Sequence, residues 1–388
     1  IPLLISGATT SKIHTAVKIA PAYSGAVIYV KDASINIAVA SKLLSKETAP
    51  TYIQEIKAEY ETIRQKYEAE TGTAKFIPLQ EARKNKFVIN WTKNAPVQPK
   101  FVGVKVLKDV DIKEIIPFIN WSAFLHVWKL SGKYADDAKG QEAAKLLNDA
   151  KKMLQNIIEK KMLVLNGVFG IFPAYSDGDD VVIHKNKNEA TDKFYFLRNQ
   201  QPNKEQNLCL SDFIAPKEYN DWIGAFALTA GIGIEKWLEE YDSKHNHYES
   251  IMLKLLADRL VEAFSEWLHL KIRTEYWGYS QESSSSIETL LHEKYTGIRP
   301  AIGYSSAPDH SEKETLFRLL DAKNNTGMRL TENYAMYPNA SVSGLYFANP
   351  QACYFDVGNI SSDQLIDYAK RKGEQEDTIK KWIGKNIL

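Results

Sequence analysis

The sequence predicts an α+β fold, and three observations carry that prediction. Apolar residues recur at helical spacing over two long stretches, 141–161 and 248–276. Before, between and after them lie runs with strand character, among them FVGVKVL, NGVFGIFPA, DDVVIHKN, DWIGAFALTAG and SVSGLYFA. These suggest a twisted antiparallel sheet bordered by helices, covering residues 99–388. Residues 1–44 instead alternate strand and helix signals, as the tail of a doubly wound α/β domain would.

Bulk properties narrow the class. With 44% apolar and 25% charged residues the chain is ordinary for a soluble globular protein, and 388 residues leave room for two or three domains. A formal net charge of +1 gives no electrostatic case for a nucleic-acid partner. No apolar run reaches bilayer length, so no membrane span is expected. The opening IPLLISGATTS lacks a basic flank, which argues against a signal peptide. Cys209 and Cys353 cannot make a disulfide framework, so a cytoplasmic setting is the simplest. No Cys/His spacing suggests zinc.

In order, IPLLIS and GAVIYVKDAS read as strands, each followed by a small-residue turn and a helix. Two strands are too few for an independent core. Residues 45–98 read as a linker: a charged helix over 51–70 with a thin apolar stripe, ended by Gly72, then a proline-bearing stretch without period. From 99 the larger domain begins. Its longest helix, over 248–276, carries Asp258, Glu262 and Glu266 at spacings of four, so three carboxylates share one stripe. That stripe suits either a solvated face or a surface turned toward a cation. Asn349-Pro350-Gln351-Ala352 reads as the turn of a hairpin joining SVSGLYFA to a strand CYFDVG.

The most informative stretch is 297–313, GIRPAIGYSSAPDHSEK. Arg299 before Pro300 has an extended backbone, which can hold a guanidinium fork free to grip a carboxylate. Gly303 permits close approach to the backbone, and Tyr304 adds a ring and a hydroxyl. Asp309 and Glu312 form a D-x-x-E capping signature for a helix running to about Ala322. The competing reading is an Arg-Pro turn that only joins two helices. A cation set among carboxylates and rings, with its own carboxylate held by an arginine, describes an amino acid carrying a positive centre. Glu262, Arg299, Tyr304 and Tyr354 could supply those parts. A hydrolase built on His310 and nearby carboxylates is the remaining alternative, without a G-x-S-x-G elbow to support it.

These residues resemble a known family. GIRPAIGYSSAPDHSEK is similar to the R-x-x-x-G-Y region in the activation domain of cobalamin-dependent methionine synthases. PFINWSAFLHVWKLSGKY, CLSDFIAP, ADRLVEAFSEWLH, TGMRLTENYAM and DYAKRKG also match, in the same order. Residues 1–44 resemble the end of the cobalamin-binding domain that precedes it, with 45–98 as the linker and 99–388 as the S-adenosylmethionine-binding activation domain. The resemblance implies a methyltransferase, in a stretch without the homocysteine and folate modules or the zinc site. It implies that S-adenosylmethionine remethylates oxidised cob(II)alamin with an electron from flavodoxin or a related flavoprotein. A binding and reductase-docking module without bond chemistry is the alternative.

Carried over by position, the resemblance implies that Arg299 grips the ligand carboxylate and that Ala301 and Gly303 offer backbone contacts. Tyr304 would line the pocket, Glu262 would be its carboxylate, and Tyr354 and Phe355 would meet the adenosine. Asn120 stands where the family usually has aspartate, which implies a weaker hold on the ligand ammonium. His310, Gly7 and Ala8 would face the corrin. The cobalt-ligating D-x-H-x-x-G motif does not occur in these residues, so cobalamin is expected only with the preceding part of its domain.

Overall fold

The structure is a computed structural model describing residues 1–388 apart from 7–9, 32, 73–75, 131–137, 187–188, 282–289, 291–293 and 388. Its contacts divide it into two units, Ile1–Lys75 and Phe76–Leu388. Gly7 and Ala8 lie outside the described residues. No described helix is long and apolar enough to cross a membrane.

In the first unit β1 (Leu3–Ile5) pairs in parallel with β2 (Val27–Tyr29), as the alternating pattern predicts. The helices Ala33–Leu44 and Ala49–Gly72 follow. The expected linker over 45–98 takes a different form. Tyr60, in the second helix, is buried and its hydroxyl accepts the Tyr29 N–H at 2.7 Å, so this helix belongs to the first unit. The thin stripe read from the sequence is therefore its packing face. Residues 76–98 belong to the second unit, where Ile89 and Trp91 enter a core. There the Leu79 N–H donates to Asp363 at 2.7 Å.

The second unit is built on an antiparallel sheet. The strands are β3 (Gly103–Leu107), β4 (Val164–Asp177), β5 (Asp180–Asn186), β6 (Glu189–Tyr195), β7 (Asp221–Ile232) and, after a small hairpin of β8 (Arg329–Leu330) with β9 (Met336–Tyr337), β10 (Ser341–Tyr346). Their order is β10-β7-β4-β5-β6, with β3 also on β4. Strand β7 is apolar on both faces because both are covered. Phe226, Leu228 and Ala230 face one core, with the helices Ala138–Glu159 and His247–Lys271. Ile223, Ala225 and Ala227 face the other, with Ile298, Ile302, Leu316 and Met328. The two-residue period of a strand sorts its side chains between two cores.

Three expectations are corrected. CYFDVG does not pair with β10 as a hairpin; residues 352–359 have no regular secondary structure, although the turn itself forms, with the Ala352 N–H on Asn349 O at 3.0 Å. The 353–357 stretch turns away to bond residues 305 and 306, where the Val357 N–H meets Ser305 O at 3.0 Å. The helix after 310 is two pieces, Glu312–Leu319 and Ala322–Thr326. Asp309 and Glu312 form no reciprocal cap. Lys372 Nζ holds both, at 2.7 and 2.6 Å, from the C-terminal turn of the helix Ser362–Lys372.

Candidate ligand site

The site begins at a sheet edge. The Ile298 N–H donates to Phe347 O and the Phe347 N–H donates to Ile298 O, both at 3.0 Å, and the Leu345 N–H donates to Pro300 O at 3.0 Å. The Arg-Pro backbone is extended, as proline imposes, and so completes the edge beside β10. The fit is close: a Cβ on Gly344 would stand 2.7 Å from Pro300 O. After Ile302 the chain reverses in a tight turn, with the Gly303 N–H on Ala307 O at 2.7 Å and the Ala307 N–H on Tyr304 O at 3.0 Å. Gly303 has φ +98°, and a Cβ there would meet the His310 ring at 2.4 Å. Only glycine meets both demands.

Two grooves flank this turn. One, of about 550 Å³, is lined by Arg299, Ala301, Tyr304, Ser306, Tyr354 and Phe355 among others. The other, of about 600 Å³, is lined by Gly303, Tyr304, His310, Lys313, Ser343 and Trp382 among others. Tyr304 stands between them, 71% exposed. The wall carrying Tyr354 and Phe355 is tied to the turn by four bonds, one of them from the Phe355 N–H to Ser306 Oγ at 3.2 Å. Arg299 N–H donates to Tyr354 Oη at 2.9 Å, Ser306 Oγ donates to Phe355 O at 2.5 Å, and Val357 N–H donates to Ser305 O.

The Arg299 guanidinium is mostly buried, and it reaches the helix His247–Lys271. Its Nη1 donates to Ser265 Oγ at 2.6 Å and its Nη2 to the Glu266 carboxylate. The fork expected to be free is held by the protein's own carboxylate. Burial works against its charge, but Glu266 and the phenols of Tyr295, Tyr346 and Tyr354 outweigh burial and raise its pKa. The same setting raises the Tyr295 hydroxyl, by burial first and by Tyr354 next. His269, wholly buried beside Arg299 and Arg273, is pushed well below the usual histidine range by desolvation and by those two charges.

Five of the residues carried over from the sequence thus line one groove: Arg299, Ala301, Tyr304, Tyr354 and Phe355. Gly303 and His310 line the other, where the His310 Nδ1 lies 2.9 Å from Lys313 Nζ. Glu262 and Asn120 line neither of these two grooves. The Glu262 carboxylate is half exposed and paired with Arg259 at 2.8 Å; burial raises its pKa and Arg259 opposes the rise. Asn120 caps the helix Trp121–Val127, its Oδ1 accepting the Ala123 N–H at 2.9 Å. Sequence reasoning missed Ser265 and Ser306, and chose Glu262 over Glu266 as the carboxylate of the site. The acidic stripe did name Glu266, but spacing alone cannot say which of its carboxylates meets Arg299. No group of three or more His, Cys, Asp or Glu poised for a metal occurs among the described residues.

Residues 111–373 match the family described as vitamin B12 dependent methionine synthase, activation domain. The fold is similar to the crystal structure of the MetH reactivation domain bound to AdoHcy, S-adenosylhomocysteine. That likeness has a TM-score of 0.78 and 40% sequence identity, over 80% of this chain and 98% of that one. The match lies within the unit that carries both grooves, and the chain belongs to the family of vitamin B12 dependent methionine synthase activation domains.

Proposed function

We propose that the groove beside Arg299 holds S-adenosylmethionine, and that the chain uses it as methyl donor in the reductive reactivation of a methionine synthase. The observation that carries this reading is an arginine lining a groove together with two tyrosines, a phenylalanine, Ser306, Asp356 and the backbone of residues 300 and 301. A guanidinium recognises the carboxylate of an amino acid by paired charge-assisted hydrogen bonds. Tyr354, Tyr304 and Phe355 offer faces to a purine or a sulfonium. Backbone at Ala301 supplies polar contacts that do not depend on a side chain. Methyl transfer from a sulfonium needs no general acid or base at the donor. The chain's part is to bind, orient and screen the ligand from water. The AdoHcy bound by the similar reactivation domain is the product such a transfer leaves.

Cobalamin, when held by the preceding domain of the same enzyme, would supply the methyl-accepting centre. The second groove lies across Tyr304 from the first and is lined by His310 and by the amphipathic rim residues Lys381 and Trp382. A ring nitrogen, an ammonium and an indole there suit the amide-bearing edge of a corrin. His310 is assigned to that role. The electron donor is a flavodoxin or a related flavoprotein.

Titration calorimetry of the chain with S-adenosylmethionine tests the ligand. Arg299→Lys keeps the charge and loses the fork, and is expected to weaken binding roughly tenfold or more. No binding by the unaltered chain, or none lost in the variant, would sink the assignment. Mixing the chain with the separate cobalamin domain, cob(II)alamin, a reductant and methyl-labelled S-adenosylmethionine tests the chemistry. Label transferred to cobalt is the expected result.

A further inference from the structure

Arg299 sits on a segment fixed by the bonds of residues 298 and 300 to the sheet edge. Its side chain crosses from that edge to the long helix, where consecutive residues receive it. Ser265 Oγ accepts from Nη1 at 2.6 Å and Glu266 Oε1 accepts from Nη2. Ser265 Oγ donates its own proton to Glu262 O at 2.7 Å, which turns its lone pairs toward the guanidinium. The second Glu266 oxygen is buried and has no hydrogen-bond partner among the described residues. The Glu266 carboxylate therefore directs its hydrogen bonding to Arg299. Both side chains are nearly enclosed, at 15% and 17% exposure.

We propose that Glu266, with Ser265, is a positioning residue for the amino-acid end of the ligand: it holds the Arg299 guanidinium in the one orientation that meets a carboxylate in the groove. The inference rests on the ligand reading given above. An arginine side chain has many rotamers, and two-point recognition requires the plane of the fork to be set beforehand. Of the five guanidinium N–H donors, one on each terminal nitrogen is used by the helix, so others remain for a ligand. Glu266 does not itself line the groove. Its effect passes through Arg299.

The test compares two ligands on the full 388-residue chain. S-adenosylhomocysteine carries the amino-acid end; 5′-methylthioadenosine keeps the adenosyl thioether and lacks it. The quantity read is the ratio of their affinities. In Glu266→Ala the ratio is expected to fall roughly tenfold, with methylthioadenosine affinity unchanged. In Glu266→Gln, whose amide oxygen can still accept from Nη2, most of the ratio is expected to return. A purely structural role would weaken both ligands together and leave the ratio fixed, which overturns the proposal. So would a ratio that rises, since Glu266 would then be competing with the ligand for Arg299. Should Glu266→Ala not fold, Ser265→Ala removes the Nη1 acceptor and keeps the ion pair, and the ratio must still fall. If the unaltered chain shows no preference for S-adenosylhomocysteine, the ligand reading fails first and takes this inference with it.

Discussion

The Arg299 N–H donates to the Tyr354 hydroxyl at 2.9 Å, joining the two walls of the groove with one bond between residues 55 apart in the chain. Tyr354 is thus both a wall and a strut. Tyr354→Phe keeps the ring and deletes the acceptor. The fold is expected to lose about 1 kcal/mol, and S-adenosylmethionine affinity to fall severalfold, roughly three to ten times. Unfolding in denaturant and calorimetry measure the two effects. Equal affinity in the variant would show that the strut does not shape the groove.

Gly303 faces two obstacles to any side chain, a φ of +98° and the His310 ring 2.4 Å from a built Cβ. Gly303→Ala is expected to cost about 1–3 kcal/mol, since backbone strain of this kind adds to the ring displacement. A variant as stable as the parent would mean that the turn relaxes freely.

Lys372 faces Asp309 and Glu312, both nearly fully buried, with Ser311 Oγ and the Tyr368 hydroxyl completing the set. Burial opposes the charge of Asp309, yet Lys372 and its hydrogen bonds hold that carboxyl below the usual range. Glu312, whose burial dominates, is pushed up to about 7. Lys372→Met leaves two buried carboxyls without a cation and is expected to cost about 3–5 kcal/mol near pH 8. The loss should shrink toward pH 5, where protonated carboxyls need no counter-charge. A loss independent of pH would contradict this account.

Asp221 is pushed up to about 7 from 3.8 by burial, although the Ala215 and Trp222 N–H groups both donate to it at 2.7 Å. Between those two values the folded state keeps a proton that the unfolded state releases. Its contribution to stability is therefore complete below about pH 4 and is lost as pH rises through 7, a change on the order of 4 kcal/mol. Asp221→Asn removes that group from the titration. The stability of the parent relative to the variant should fall with rising pH across this window, measured by denaturant melts at several pH values. A constant difference would refute the assignment.

Much of the fold was legible because its signals are periodic. The helix His247–Lys271 shows itself by spacing, and strand β7 by a short apolar run closed by glycines, whatever they pack against. The segment carrying Arg299, Gly303 and Tyr304 was legible because proline and glycine restrict the backbone locally. What escaped depends on partners. CYFDVG has strand composition, but its N–H groups go to residues 305 and 306 instead of β10. Asp309 and Glu312 have capping spacing, yet a lysine 60 residues beyond Glu312 claims them both. The choice between Glu262 and Glu266 turned on where the helix points, and one turn of helix separates them.

The residues that complete the sheet beside β10 are the same ones that present the guanidinium. This backbone therefore cannot leave the edge without exposing peptide groups of β10, and an uncovered strand edge is a template for pairing with other chains. On the proposed reading, protection of the sheet edge and ligand recognition share a single strip of backbone. Selection against aggregation would by itself keep the proposed receptor assembled between visits of its metabolite.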